Sequence, residues 1–120
     1  MANEPVIENQ AIEDLRALSP DGGNDFLREL IEIYLQDVPA RLGEIDQGLA
    51  APDAVVVARA AHTIKGSSSN FGARRLADAA HEVERHGKAG DLAAAAAGVA
   101  PLRAEFALVA ESLKQVLAGL

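Results

Sequence analysis

One apolar stripe constrains this chain of 120 residues more than any other feature. Phe26, Leu27, Leu30, Ile31, Tyr34, Leu35, Val38, Leu42, Ile45 and Leu49 recur at i, i+3, i+4 and i+7 spacing. That period belongs to an amphipathic helix, here of roughly six turns, whose apolar face must be covered by other elements. Asn24 or Asp25 stands where its N-cap belongs. Pro39 removes one hydrogen bond inside it, which predicts a kink rather than a stop.

The remaining segments follow the same period. Ile12, Leu15 and Leu18 mark a short helix over 8–18, stopped by the turn cluster Ser19-Pro20-Asp21-Gly22-Gly23. Residues 1–8 are polar and are expected to form a flexible N-terminus. A third helix is expected over 52–69 and a fourth over 73–86, the latter with Leu76, Ala80 and Val83 inward. Between them Asn70-Phe71-Gly72 makes a tight reversal, with glycine available for the left-handed position after a helix end. An alanine-rich stretch over 91–118 turns Leu92, Val99, Leu102, Phe106, Val109, Leu113, Val116 and Leu117 inward, and Pro101 leaves both a kink and a break open. No segment alternates polar and apolar for long enough to be a strand. Short connections imply antiparallel neighbours. The expected fold is all-α, an antiparallel up-down four-helix bundle with a short additional N-terminal helix, forming a single domain over 9–120.

Composition narrows the function classes. Cysteine is absent, so neither a disulfide framework nor a thiolate metal site is open to this chain. Aromatic residues are 3%, so the core has to be built from Ala, Leu, Val and Ile. A net charge of −7 argues against nucleic acid, whose partners carry a basic footprint. No apolar run approaches ~18 residues, so no membrane span is expected. The first ten residues lack the basic and apolar regions of a secretory signal, and a cytoplasmic location is expected. The charge is uneven. Residues 1–53 balance at −9, residues 54–77 at +4 with no acid among them, and residues 78–120 at −2. The basic segment contains His62.

On a helical wheel with His62 at the origin, Ala60, Ile64, Val57, Ser67 and Val56 fall on the far side, the core face. Val55, Gly66 and Arg59 lie about 20°, 40° and 60° from His62 on one side, and Ser69, Ala58 and Lys65 about 20°, 40° and 60° on the other. His62 therefore points away from the core, among small residues and two cations. Gly66 in mid-helix costs ~1 kcal/mol relative to Ala, which makes sense where something must come close to the backbone. Lys65, at i+3, can reach a group attached to the imidazole. A cation beside an exposed His is poor packing logic and good logic for holding an anion on that ring. Other motifs carry less. His81 and His86 are five residues apart in His81-Glu82-Val83-Glu84-Arg85-His86, so they cannot ligate one metal as an i, i+4 pair can. Gly87-Lys88 lacks the glycine spacing and preceding strand of a P-loop. No metal site is expected.

The stretch Ala61-His62-Thr63-Ile64-Lys65-Gly66-Ser67-Ser68-Ser69-Asn70-Phe71-Gly72-Ala73 resembles the signature of histidine-containing phosphotransfer (HPt) domains, the phosphorelay bundles that pass a phosphoryl group between receiver domains. The likeness is carried by His-x-x-Lys-Gly, the small residues after it and the apolar-Gly-Ala turn. It continues through Leu76, Ala80 and Val83-Glu84 to Gly90-Asp91 and covers most of the chain. By that resemblance His62 is the phosphoacceptor and Lys65 steadies the phosphoryl group. Many HPt domains carry a Gln on the fourth helix near the His. This chain has Glu84 there, a departure, and its role stays open among imidazole partner, electrostatic obstacle and solvated surface acid.

The resemblance implies a covalent phosphocarrier that takes a phosphoryl group from the aspartate of one receiver and offers it to another. It would not be an enzyme with an ATP site or turnover of its own. Its partners would be receiver domains of a hybrid histidine kinase or of response regulators, with no cofactor of its own and any Mg²⁺ brought by the receiver. Receivers present an acidic pocket around their aspartate. The expected docking footprint is Val55, Ala58, Arg59, His62, Lys65, Gly66 and Ser69, with Arg74 at its rim. A rival reading from another class is a docking bundle that binds a receiver or kinase without carrying phosphate. A His-based metal or haem bundle is disfavoured, because paired Glu-x-x-His motifs are missing.

Overall fold

The computed structural model describes residues 4–120. Among them are six helices and no strand: α1 (Asn9–Arg16), α2 (Asp25–Ala50), α3 (Ala54–Ser69), α4 (Arg74–Lys88), α5 (Leu92–Ala97) and α6 (Val99–Ala118). The protein is thus all-helical, as its periodicity requires. Helix α3 packs between α2 and α4, α4 against α5 and α6, and α2 against α6, while α1 lies on α2.

The apolar stripe of α2 does what its spacing demands. Leu27, Ile31, Tyr34, Val38, Leu42 and Ile45 are buried, whereas Phe26 stays partly exposed at the helix start. They meet Val57, Ala60, Ala61 and Ile64 of α3, Leu76, Ala80 and Val83 of α4, and Leu102, Val109 and Leu113 of α6 in one core. The helix does not stop at Pro39. Tyr34 brings a phenol hydroxyl into this core. Its Oη lies 2.7 Å from Ser68 Oγ, so each hydroxyl satisfies the other, and burial pushes the phenol up to about 12 despite that bond.

The ends are set by local chemistry. Asp53 caps α3 by accepting from Val55 N–H at 3.1 Å and Val56 N–H at 3.2 Å. At its other end Gly72 takes φ +65°, and Ala73 N–H reaches back to the Ser68 carbonyl at 3.1 Å. That is the left-handed closure the Asn70-Phe71-Gly72 reversal calls for. Gly90 (φ +75°) closes α4 in the same way, with Asp91 N–H on the His86 carbonyl at 2.9 Å. Asp91 in turn caps α5 through Ala94 N–H.

Three expectations are corrected, and the alternative left open in the alanine-rich stretch is decided. Helix α4 runs through Gly87 to Lys88 rather than ending at His86. The alanine-rich stretch breaks at Gly98, and Pro101 sits in the first turn of α6, where its missing N–H has no helical partner to lose. By length and composition Leu92–Ala118 is apolar enough to cross a membrane, with mean hydropathy 1.5 over an 18-residue window, although Ala95, Leu102, Val109 and Leu113 face the core. Of the stretch expected to be flexible, residues 1–3 lie outside the described residues. Val6 and Ile7 pack against the core, and Glu8 N–H donates to the Phe71 carbonyl at 3.2 Å.

Candidate functional site

Helix α3 presents His62 outward, as the wheel requires, and its side chain is 64% exposed. Helix α4 lies against it with unusual closeness at Gly87. A Cβ there would stand 3.1 Å from Ala58 N and 3.2 Å from Ala58 Cα. That approach brings Glu84, one turn earlier on α4, under the imidazole. Glu84 is buried, its side chain only 2% exposed, and Oε2 lies 2.8 Å from His62 Nδ1. Of the three roles left open for Glu84, the solvated surface acid is excluded.

A buried carboxylate is stable only among positive partners. Lys65 Nζ lies 2.8 Å from Oε1, close enough for an ion pair but outside hydrogen-bonding angles. Lys88 Nζ lies 3.0 Å from Oε2, and His81 Nδ1 3.7 Å from Oε1. Burial pushes the Glu84 carboxyl up, but Lys65, Lys88 and the His62 hydrogen bond outweigh it and hold the group down at about 2. Glu84 is therefore ionised near neutrality and can only accept. The proton in the contact belongs to His62 Nδ1. In the neutral ring this leaves the Nε2 lone pair free and turned away from Glu84.

His62 stands in an open groove of about 590 Å³ between α3 and the end of α4, lined by Ala54, Val55, Ala58, Arg59, Gly87 and Lys88 among others. Val55 is 63% exposed there. Ala58, expected to point outward, is 8% exposed, because Gly87 lets the α4 backbone close over it. Arg59 is exposed at the rim. Gly66 is exposed, and a Cβ built on it meets nothing within 4 Å among the described residues, so no contact among them requires glycine there. Lys65, Ser69 and Arg74 line a second hollow of about 520 Å³, with Glu8, Asp78 and His81. The expected docking residues are thus divided between two hollows. Ser69 Oγ donates to the Lys65 carbonyl at 2.9 Å, and Arg74 reaches Glu8 at 3.7 Å.

Two members of the cluster, Lys88 and His81, escaped the sequence reading, which weighed them only as parts of a P-loop and of a metal motif. The i+4 and i−3 spacing from Glu84 is the signal that places both beside it. No group of three or more His, Asp or Glu side chains among the described residues is arranged to hold a metal ion.

The family model described as Hpt domain matches residues 29–119. Phosphorelay protein LuxU of Vibrio harveyi is 28% identical over 90 residues, covering 75% of this chain and 76% of that protein. Histidine-containing phosphotransfer protein 5 of Arabidopsis thaliana is 34% identical over 73 residues, 58% of this chain and 46% of that protein. Among solved structures, histidine-containing phosphotransfer protein B (HptB) of Pseudomonas aeruginosa PAO1 superimposes with a TM-score of 0.88 at 29% identity, over 98% of this chain and 99% of that one. A rice protein described as a putative histidine-containing phosphotransfer protein shares the fold, with a TM-score of 0.81 at 19% identity over 94% of this chain and 80% of its own.

Proposed function

The chain belongs to the Hpt domain family and acts in phosphorelay histidine phosphotransfer, and from that premise we propose that His62 carries the phosphoryl group on Nε2. The observation behind this assignment is the pairing of an exposed ring with a buried, ionised Glu84 on its Nδ1. In the step we propose, the Nε2 lone pair attacks phosphorus, the bond from phosphorus to the receiver's aspartyl oxygen breaks, and the carboxylate leaves on the receiver. The product ring holds the phosphoryl group on Nε2 and the proton on Nδ1. It is cationic, and the Glu84 charge offsets it. Reversal toward a second receiver releases His62 with its proton where it began, so Glu84 serves both directions. Lys65 adds positive potential at the ring, and Gly66 leaves room beside it for the partner to close in.

In this reading the protein is a covalent carrier without an ATP site, and any Mg²⁺ arrives with the receiver. The footprint runs along the His62 groove, with Val55 and Ala58 at its centre and Arg59 at its rim, and continues over Lys65 and Gly66 to Ser69 and Arg74. Helices α2, α3, α4 and α5–α6 together are read as an up-down four-helix bundle with α1 added to it, one HPt-like domain over 9–120 that works in the cytoplasm.

Replacement of His62 by Gln tests the assignment. The side chain contributes little packing and the Gln amide can still donate to Glu84, so His62→Gln is expected to melt close to the parent and to accept no label from a phosphorylated receiver that labels the parent. Labelling at the parent's rate would move the acceptor elsewhere.

A further inference from the structure

Lys88 is not part of the His-x-x-Lys-Gly signature, yet its ammonium pairs with the ring's partner, Glu84. Its Nζ and His62 Nδ1 touch the same oxygen, Glu84 Oε2, at 3.0 and 2.8 Å. Lys65 pairs with the other oxygen, Oε1. The two lysines also differ in freedom, since the Lys88 side chain is 67% exposed and that of Lys65 29%. Lys88 lines the groove in which His62 stands, whereas Lys65 lines the neighbouring hollow.

Taking the assignment of His62 as its basis, we propose that Lys88 is a phosphoryl-binding residue that leaves Glu84 Oε2 for the phosphoryl group when His62 is modified. With the ring in the neutral form that attacks, Oε2 faces one N–H donor and one ammonium. After transfer the ring is cationic, so two positive donors compete for one oxygen. The ring is fixed on α3, whereas the ammonium rides on a flexible stem that is already mostly in water. It is therefore the ammonium that moves. A group bearing about two negative charges has just appeared on the far nitrogen of the same ring. Lys65 keeps Oε1, so the buried carboxylate is never left without a cation. The hand-over needs no backbone movement, and it reverses when the phosphoryl group departs.

The test uses the full chain and the small phosphoryl donor phosphoramidate, so that no receiver is needed. His62 Nε2 attacks its phosphorus, the nitrogen–phosphorus bond of the donor breaks and ammonia leaves. The second ionisation of the resulting phosphoryl group is then followed by ³¹P NMR against pH. A nearby ammonium favours the dianion, so Lys88→Ala is expected to raise this ionisation by roughly half a pH unit. Lys88→Arg should restore the parent value, and Lys114→Ala, which removes the same charge from an exposed position on α6, should leave it in place. Equal titrations in the parent and in Lys88→Ala would overturn the role of Lys88 while leaving His62 as acceptor. Absence of Nε2-phosphohistidine at position 62 in the parent would overturn both assignments.

Discussion

At the scale of single residues the site turns on Glu84. An amide at this position could still accept the Nδ1 proton through its oxygen, but it could not carry charge. The carboxylate does, and its titration makes the difference measurable. Burial raises its pKa, yet Lys65, Lys88 and His62 together hold it at about 2, below the ordinary 4.5. A carboxyl whose pKa is lowered in the folded state contributes stability that is fully present above pH 4.5 and lost as pH falls toward 2. The parent should therefore exceed Glu84→Gln in stability by on the order of 2 kcal/mol near neutrality. Urea unfolding at a series of pH values from 6 to 2 is expected to show that margin shrinking across the lower part of the range. A margin that does not change with pH would mean that Glu84 is not held ionised by its neighbours.

The helices explain which parts of this site were legible in the sequence. His62, Lys65 and Gly66 share one helix, so a fixed period relates them and the wheel places them correctly. Glu84 lies on the next helix, and its burial depends on how closely α4 approaches α3. That distance is set by Gly87 against the Ala58 backbone, a contact between residues far apart in sequence. The same contact buries Ala58, which the wheel alone turned outward. The division of α5 from α6 was open for a similar reason. Pro101 was the visible breaker, but at Gly98 a Cβ would meet a Val83 methyl carbon at 3.0 Å, a tertiary constraint no local pattern displays. Gly66 belongs to the opposite category, since a Cβ built on it meets nothing within 4 Å among the described residues. Gly66→Ala should stabilise α3 by up to ~1 kcal/mol through helix propensity alone. It should also slow phosphotransfer, because the added methyl stands beside the imidazole where a receiver must close in. Thermal melting and label transfer, measured on the same preparation, check both halves. A variant more stable than the parent and equally fast would remove the argument for close approach.

Across the whole molecule, charge decides how a partner arrives. The chain carries −7 overall, yet residues 54–77 contain four bases and no acid. Most of those bases are engaged by neighbouring carboxylates: Arg75 pairs with Glu105 at 2.8 Å, Arg74 with Glu8 at 3.7 Å and Lys65 with Glu84 at 2.8 Å. Arg59 has no such partner within 4 Å among the described residues, and it lies on the rim of the groove that holds His62. In the proposed reading it is thus the cation placed to meet the acidic pocket of a receiver, with a field that would reach the approaching partner over ~8 Å at physiological ionic strength. Arg59→Glu is expected to slow association by about tenfold at low salt, with the gap closing as salt rises. The control has to change net charge equally without disturbing a fold contact. Arg103 does not qualify, because it is paired with Asp46. Lys114, exposed on α6 away from both hollows, does. Stopped-flow mixing of each variant with a receiver domain, at two or more salt concentrations, separates the steering term from the chemical step. If Arg59→Glu and Lys114→Glu slow association equally, only the overall charge matters, and the groove beside His62 is not where the receiver lands.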